Sequence, residues 1–112
     1  MLLNYCHLCA MNFRDLNLKK PLWSALDDLG YEIPTTIQAV SFNVMMSGKD
    51  TIGIAQTGTG KTLAYLLPCL CMWKFSKEPH PQILIIVPTR ELVAQVVSEV
   101  EKLTTYMNVA VG

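Results

Sequence analysis

The sequence predicts an α/β fold in which a parallel sheet carries helices on both faces. Two observations lead to it. Ile83, Leu84, Ile85, Ile86 and Val87 are five consecutive aliphatics, four of them β-branched, closed by Pro88; such a run is the pattern of a strand buried on both faces, as in parallel sheets. Short apolar runs and helical patterns also alternate over the second half of the chain: strand 51–54, helix 61–74, strand 83–87, helix 90–106, strand 109–111. That order implies right-handed crossovers between parallel strands. At 112 residues the chain has the length of one domain, for which about 100–200 residues is usual.

Each element has a local reason. Residues 13–20 are mixed and read as irregular. Leu22, Ala25, Leu26 and Leu29 then share one face at helical spacing, with Pro21 in the first turn and Gly30 just past the end. Pro34 marks a new start, and Thr35 to Met46 reads as a second helix before the turn Ser47-Gly48-Lys49-Asp50. Pro68 inside the third helix should kink it or leave a carbonyl without a partner. In the last helix Leu92, Val93, Val96, Val97, Val100, Leu103 and Met107 follow the 3.6-residue period, while Gln95, Ser98, Glu99 and Lys102 face away. Thr89 suits its N-cap and Glu91 its first turn.

Composition removes several classes of function. Hydrophobic residues make up 51% and charged residues 16%, against a usual charged share of about 25%. That excludes intrinsic disorder, which needs low hydrophobicity and high net charge. Nine basic and nine acidic residues cancel, so a free-standing electrostatic binder of nucleic acid or membrane is excluded too. Any contact with nucleic acid must be local and geometrically organised. The longest apolar run, Leu63 to Trp73, has 11 residues where a membrane span needs about 20. Residues 1–11 have no basic start and no cleavage site, and are read as a flexible or mis-called extension with Met11 as an alternative start. The four cysteines are then expected as free thiols in the cytoplasm.

The chemistry lies in Ala55-Gln56-Thr57-Gly58-Thr59-Gly60-Lys61-Thr62, which matches the phosphate-loop pattern G-x-x-x-x-G-K-[ST] except for Ala at its first position. Gly58 and Gly60 can take positive φ, so that successive N–H groups turn inward as a nest for phosphate oxygens. The helix opening at Lys61 adds its N-terminal donors and positive dipole end. Lys61 is placed to reach the β- and γ-phosphates, and the Thr62 hydroxyl to ligate Mg²⁺. A loop lying between an expected strand and an expected helix is the confirming context.

With these residues the chain resembles the amino-terminal part of a DEAD-box ATP-dependent RNA helicase. AQTGTGKT is a form typical of that family, and Ala55 is normal there. Gly30-Tyr31-Glu32-Ile33-Pro34-Thr35-Thr36-Ile37-Gln38 looks like its adenine-reading Q motif, with Phe13 as the isolated upstream aromatic. Pro88-Thr89-Arg90-Glu91-Leu92 looks like its motif Ia, followed by Val93 where Ala is commoner. Asn43 stands where the family often has Pro. The resemblance runs from Asn12 to the end of the chain. It implies that residues 12–112 are the amino-terminal part of a RecA-like ATP-binding domain, cut off after about the third strand.

The resemblance also implies roles. Gln38 would pair with adenine through its amide, a donor–acceptor match that is sound chemistry in itself. Phe13 would stack on the base, while Tyr31, Thr35 and their neighbours would couple base recognition to the phosphate loop. Pro88, Thr89, Arg90 and Glu91 would face RNA, binding sugar and phosphate with little sequence specificity. On residue type alone, Phe13 is a packing aromatic, Gln38 an exposed helix residue and Arg90 a solvated charge; the resemblance reverses these readings. The implied cofactors are ATP and Mg²⁺. The implied partners are RNA and a second RecA-like domain of the parent chain.

Other residues read as structural. Cys6-His7-Leu8-Cys9 has zinc-knuckle spacing, but Cys69 and Cys71, two apart on a helix, face different ways and make poor joint ligands. His80 reads as exposed, Trp23 and Trp73 as packing, and Asp27-Asp28 as a solvated face. No aspartate follows Asp50, so the Asp-Glu pair that holds Mg²⁺ and positions water in the family does not occur after the loop. Phosphoryl transfer depends on positioning and charge stabilisation, so this stretch is expected to bind ATP without hydrolysing it. The parent would couple hydrolysis to RNA binding and duplex remodelling. The alternatives are a non-catalytic adenine-nucleotide module or another phosphate-loop ATPase.

Overall fold

A computed structural model describes residues 12–112, in which a 3-10 turn (Phe13–Asp15) precedes four α-helices. These are α1 (Lys20–Asp28), α2 (Thr36–Met46), α3 (Lys61–Met72) and α4 (Arg90–Leu103). The calls on residues 1–11, including Cys6 and Cys9, lie outside the described residues.

The segment expected to be irregular is ordered by its own side chains. The Asn12 side chain accepts from the Arg14 N–H at 3.0 Å, and the Asp15 carboxylate returns to the Asn12 N–H at 2.8 Å. This reciprocal cap turns Phe13 inward, and Leu16 and Leu18 follow it into the core. In α1, Leu22, Ala25 and Leu26 are buried as their spacing predicts, while Leu29 is exposed. Gly30 closes the helix at φ +73°, which lets the Tyr31 N–H reach the Leu26 carbonyl at 2.9 Å.

The core is built between α2 and α3, with α1 and α4 packed on each other beside them. Leu22, Leu26, Phe42, Leu66, Leu67, Leu70 and Leu103 are all but fully buried in it. Helix α4 buries Val96, Val100 and Leu103, but Leu92 and Val93 near its start are exposed, and it ends at Leu103 rather than Tyr106. Helix α3 stops at Met72, where Trp73 turns extended. Its carboxyl end is held by Lys19, whose ammonium donates to the Trp73 carbonyl at 2.5 Å, a cation where the helix dipole favours one.

Pro68 does not break α3. The ring removes the N–H that would pair with the Ala64 carbonyl four residues back. The buried Ser41 hydroxyl of α2 donates to that carbonyl instead, at 3.3 Å. The missing partner expected from Pro68 is thus supplied by the neighbouring helix.

The expected parallel sheet is not formed among the described residues, because none of the three extended segments carries a strand ladder. The segment 51–54 is open to solvent, with Ile52 92% and Ile54 90% exposed. The run 83–87 is not buried on both faces as its composition implies. Ile83, Ile85 and Val87 are half-buried against the core, whereas Leu84 is 80% and Ile86 85% exposed. A strand needs a neighbour about 4.8 Å away on its hydrogen-bonding side, and neither segment serves as the other's neighbour. A groove of about 680 Å³ lies beside 83–87, walled by Leu66 and Leu70 of α3, Val96 and Val100 of α4, and residues 108–112.

Two clasps tie the periphery together. Arg14 pairs with Asp27 at 3.1 Å and lies over the Trp23 ring at 5.8 Å. The Tyr106 phenol donates to the Asp28 carboxylate. The doublet Asp27-Asp28 is exposed as expected, yet both carboxylates have partners.

The open apolar edges predict self-association of the 112-residue chain. Light scattering over a dilution series should find masses above the monomer, reduced by Ile86→Lys; a monomer at every concentration with a sharp melt would refute this. The Tyr106 clasp predicts a pH effect. Its hydrogen bond to Asp28, and secondarily the carboxylate's charge, raise the phenol pKa. Its stabilisation is therefore present below the ordinary value of about 10 and lost as pH rises through the raised one. Comparing urea midpoints at pH about 8 and about 11 should show a smaller alkaline loss in Tyr106→Phe than in the parent sequence.

Candidate functional site

The site begins at the amino terminus of α2. Thr35 caps the helix from extended backbone, its hydroxyl accepting from the Gln38 N–H at 3.5 Å. The Gln38 side-chain oxygen returns to the Thr35 N–H at 2.9 Å, so a Thr-x-x-Gln capping box fixes the glutamine at the helix start. Its Nε2 then crosses to the Gly60 carbonyl at 3.0 Å. Gln38 is only 5% exposed, against the exposed position its residue type suggests. Its amide has two N–H groups and an oxygen with two lone pairs. One N–H goes to Gly60 and one lone pair to Thr35, which leaves one N–H and one lone pair over.

The glycine-rich loop meets Gln38 at Gly60. Gly58 and Gly60 have φ +80° and +77°, the left-handed backbone the motif predicts. Gly60 has a second constraint: a Cβ there would collide with Gln38 Nε2. Helix α2 and the glycine-rich loop therefore approach so closely that only glycine fits. Ile37, next to Gln38, also reaches the preceding segment, 3.4 Å from where a Gly53 Cβ would stand.

Helix α3 opens at Lys61 with no side-chain cap. Helices α2 and α4, by contrast, are capped by Thr35 and Thr89. The first-turn N–H groups of α3 have no partner inside their own helix, and with the dipole they form a site for an anion. The loop is otherwise tied to itself. Lys61 donates through Nζ to the Ala55 carbonyl at 2.6 Å, and the Thr59 hydroxyl donates to the Gln56 carbonyl at 2.6 Å. Gln56, Thr57, Gly58 and Lys61 are exposed, and Thr62 is half-buried. The donor set is one ammonium, uncapped backbone N–H groups and the Thr62 hydroxyl, which suits a polyphosphate carrying a hard cation such as Mg²⁺.

The structure thus brings together Thr35, Gln38, Ala55, Gln56, Thr59, Gly60 and Lys61. Tyr31 lines a cleft of about 610 Å³ with Gly60, Thr62 and the Gln95, Glu99 and Lys102 side of α4. Nothing in the sequence pointed to that face of α4, which reads only as solvated. Phe13 stands apart: it is 4% exposed in the core cluster, and its N–H to the Glu32 carbonyl, at 3.0 Å, is its link to the Tyr31–Gln38 segment. Pro88, Thr89, Arg90 and Glu91 are exposed at the start of α4, where the Thr89 hydroxyl accepts from the Leu92 N–H at 3.2 Å.

Cys69 and Cys71 are free thiols, both pushed to higher pKa by burial, and the thiolate rather than the thiol is the metal ligand. Among the described residues no cluster of three or more His, Cys, Asp or Glu could hold a metal, and no helix is long and apolar enough to cross a membrane.

Comparison with known proteins agrees with this arrangement. Residues 35–112 match the sequence profile of the DEAD/DEAH box helicases. The chain is 43% identical over 102 residues to the DEAD-box ATP-dependent RNA helicase 28 of Oryza sativa subsp. japonica, covering 89% of this chain and 13% of that protein. It is 45% identical over 98 residues to the ATP-dependent RNA helicase DeaD of Escherichia coli (strain K12), covering 85% and 15%. The crystal structure of the RNA-helicase Prp28 from Chaetomium thermophilum bound to ADP superposes with a TM-score of 0.81 at 37% identity, over 89% of this chain and 25% of that one. The chain spans about a seventh of the length of these two curated relatives. The profile match and the shared fold place it plainly: the chain belongs to the DEAD/DEAH box helicase family.

Proposed function

We propose that residues 12–112 are the amino-terminal part of a RecA-like ATP-binding domain, following an extension at 1–11. Their task is to bind ATP with Mg²⁺ for a cytoplasmic RNA helicase. The observation that carries this reading is the Gln38–Gly60 contact, which joins a base-reading amide to a phosphate-binding loop. The free donor and acceptor of Gln38 match adenine N7 and N6. Lys61 leaves the Ala55 carbonyl for the β- and γ-phosphates, and the uncapped N–H groups of α3 complete the cradle. Thr62 holds the Mg²⁺, which when bound neutralises phosphate charge. Phe13 stacks on the base once one face of its ring is uncovered, and Tyr31 closes the cleft beside Thr62.

The exposed first turn of α4, Pro88 to Glu91, offers backbone donors to the sugar-phosphate chain of RNA. In the parent protein, ATP is hydrolysed while this domain and a second RecA-like domain close on RNA. These 112 residues carry no aspartate after Asp50, so they bind nucleotide without hydrolysing it. The groove beside 83–87 and the open edge at 51–54 fit a parallel sheet completed by further strands of the parent.

Two substitutions test the reading by calorimetry with ATP and with pyrophosphate. Lys61→Ala should lower the affinity for both at least about tenfold, since a charge-assisted hydrogen bond is worth about 1.5–3 kcal/mol; unchanged affinity would remove the phosphate-loop assignment. Gln38→Ala should weaken ATP roughly tenfold more than pyrophosphate, the cost of one lost bidentate base contact. Equal losses would refute base reading.

A further inference from the structure

Ser41 does more than repair α3. We infer that Ser41, acting through the carbonyl that Pro68 leaves without a partner, sets the register of α2 on α3 and so holds Gln38 where it can read a base. The inference rests on the reading of Gln38 given above, and makes Ser41 a positioning residue rather than a contact for nucleotide.

Two side chains of α2 donate to backbone carbonyls of α3: Gln38 to Gly60 and Ser41 to Ala64. Gln38 and Ser41 are three apart and lie on one face of α2; Gly60 and Ala64 are four apart along α3. The attachments are therefore one turn apart on both helices. One attachment alone would leave α2 free to pivot about it, whereas two fix its rotation and its sliding. Ala64 is itself small and buried, so the backbones come close enough for a side chain as short as serine to reach across.

Pro68 is what makes this register specific. A serine within a helix commonly donates to its own helix four residues back, yet Ser41 reaches across instead. In an ordinary helix the Ala64 carbonyl would be satisfied by the residue-68 N–H, and sliding α2 would leave no acceptor unpaired there. With proline at 68 that acceptor is buried and has no donor in its own helix. Sliding α2 by a turn would abandon it. The carbonyl thus acts as a keyed socket, and Ser41 is the side chain that fits it.

The test uses Ser41→Ala and the double variant Ser41→Ala/Pro68→Ala, which regains a residue-68 N–H for Ala64 but not the bond between helices. Three quantities are followed: the melting temperature, hydrogen exchange of the Gln38 side-chain amide by NMR, and the ratio of affinities for ADP and pyrophosphate. Ser41→Ala should melt lower, and the double variant should recover. In the double variant the Gln38 amide should still exchange roughly five-fold faster than in the parent sequence, as expected for loss of about one hydrogen bond. The ADP-to-pyrophosphate ratio should fall by a similar factor. If exchange and ratio return to parental values together with stability, Ser41 is only a structural donor and the inference is overturned. If Ser41→Ala does not fold, the double variant alone decides. If the parent sequence binds ADP no better than pyrophosphate, base reading by Gln38 fails, and Gln38 exchange still decides whether Ser41 sets the register.

Discussion

The close approach of α2 to the start of α3 is the constraint on which the rest of this site depends. At the Gln38–Gly60 contact the two helices are separated by one hydrogen bond and no Cβ. Thr35 can cap α2 and still touch the loop only because Gln38 closes the capping box and bridges outward with the same amide. Gly60 in turn must be both left-handed, to turn the chain into α3, and bare, to admit Gln38. Four requirements fall on two residues, and Gly60 cannot gain a Cβ while Gln38 stays in place.

Much of this could be read from the residues. The helices fall near their expected places because each has a local punctuation mark: Gly30 and Gly60 at positive φ, Thr35 and Thr89 as caps. The phosphate loop was legible because its chemistry demands glycine at fixed positions. The inward place of Gln38 was suggested only by resemblance, since residue type alone makes it an exposed helix residue. Ser41 was not legible: Pro68 announced an unmet carbonyl, but the donor lay 23 positions away in the chain. Pairing across that distance is a property of packing, and no local pattern encodes it.

The sheet was misjudged for a related reason. Residues 83–87 have the composition of a strand covered on both sides, and composition records what a segment requires rather than what surrounds it. In this chain one face of the run finds α3 and α4 while the other finds solvent. The segment 51–54 likewise has strand-forming residues without a ladder. A helix satisfies its backbone internally, so α1 to α4 form with few neighbours; a strand depends wholly on others. The four helices and the Gln38–Gly60 junction are self-sufficient in that sense, and the extended segments are not.

The bond from Lys61 to the Ala55 carbonyl has a consequence for how this loop meets a ligand. The ammonium already rests on an oxygen of its own chain, and of its three N–H donors two are left for other acceptors. A lysine held this way has already given up part of its rotamer freedom, so less remains to be lost when its other donors are engaged.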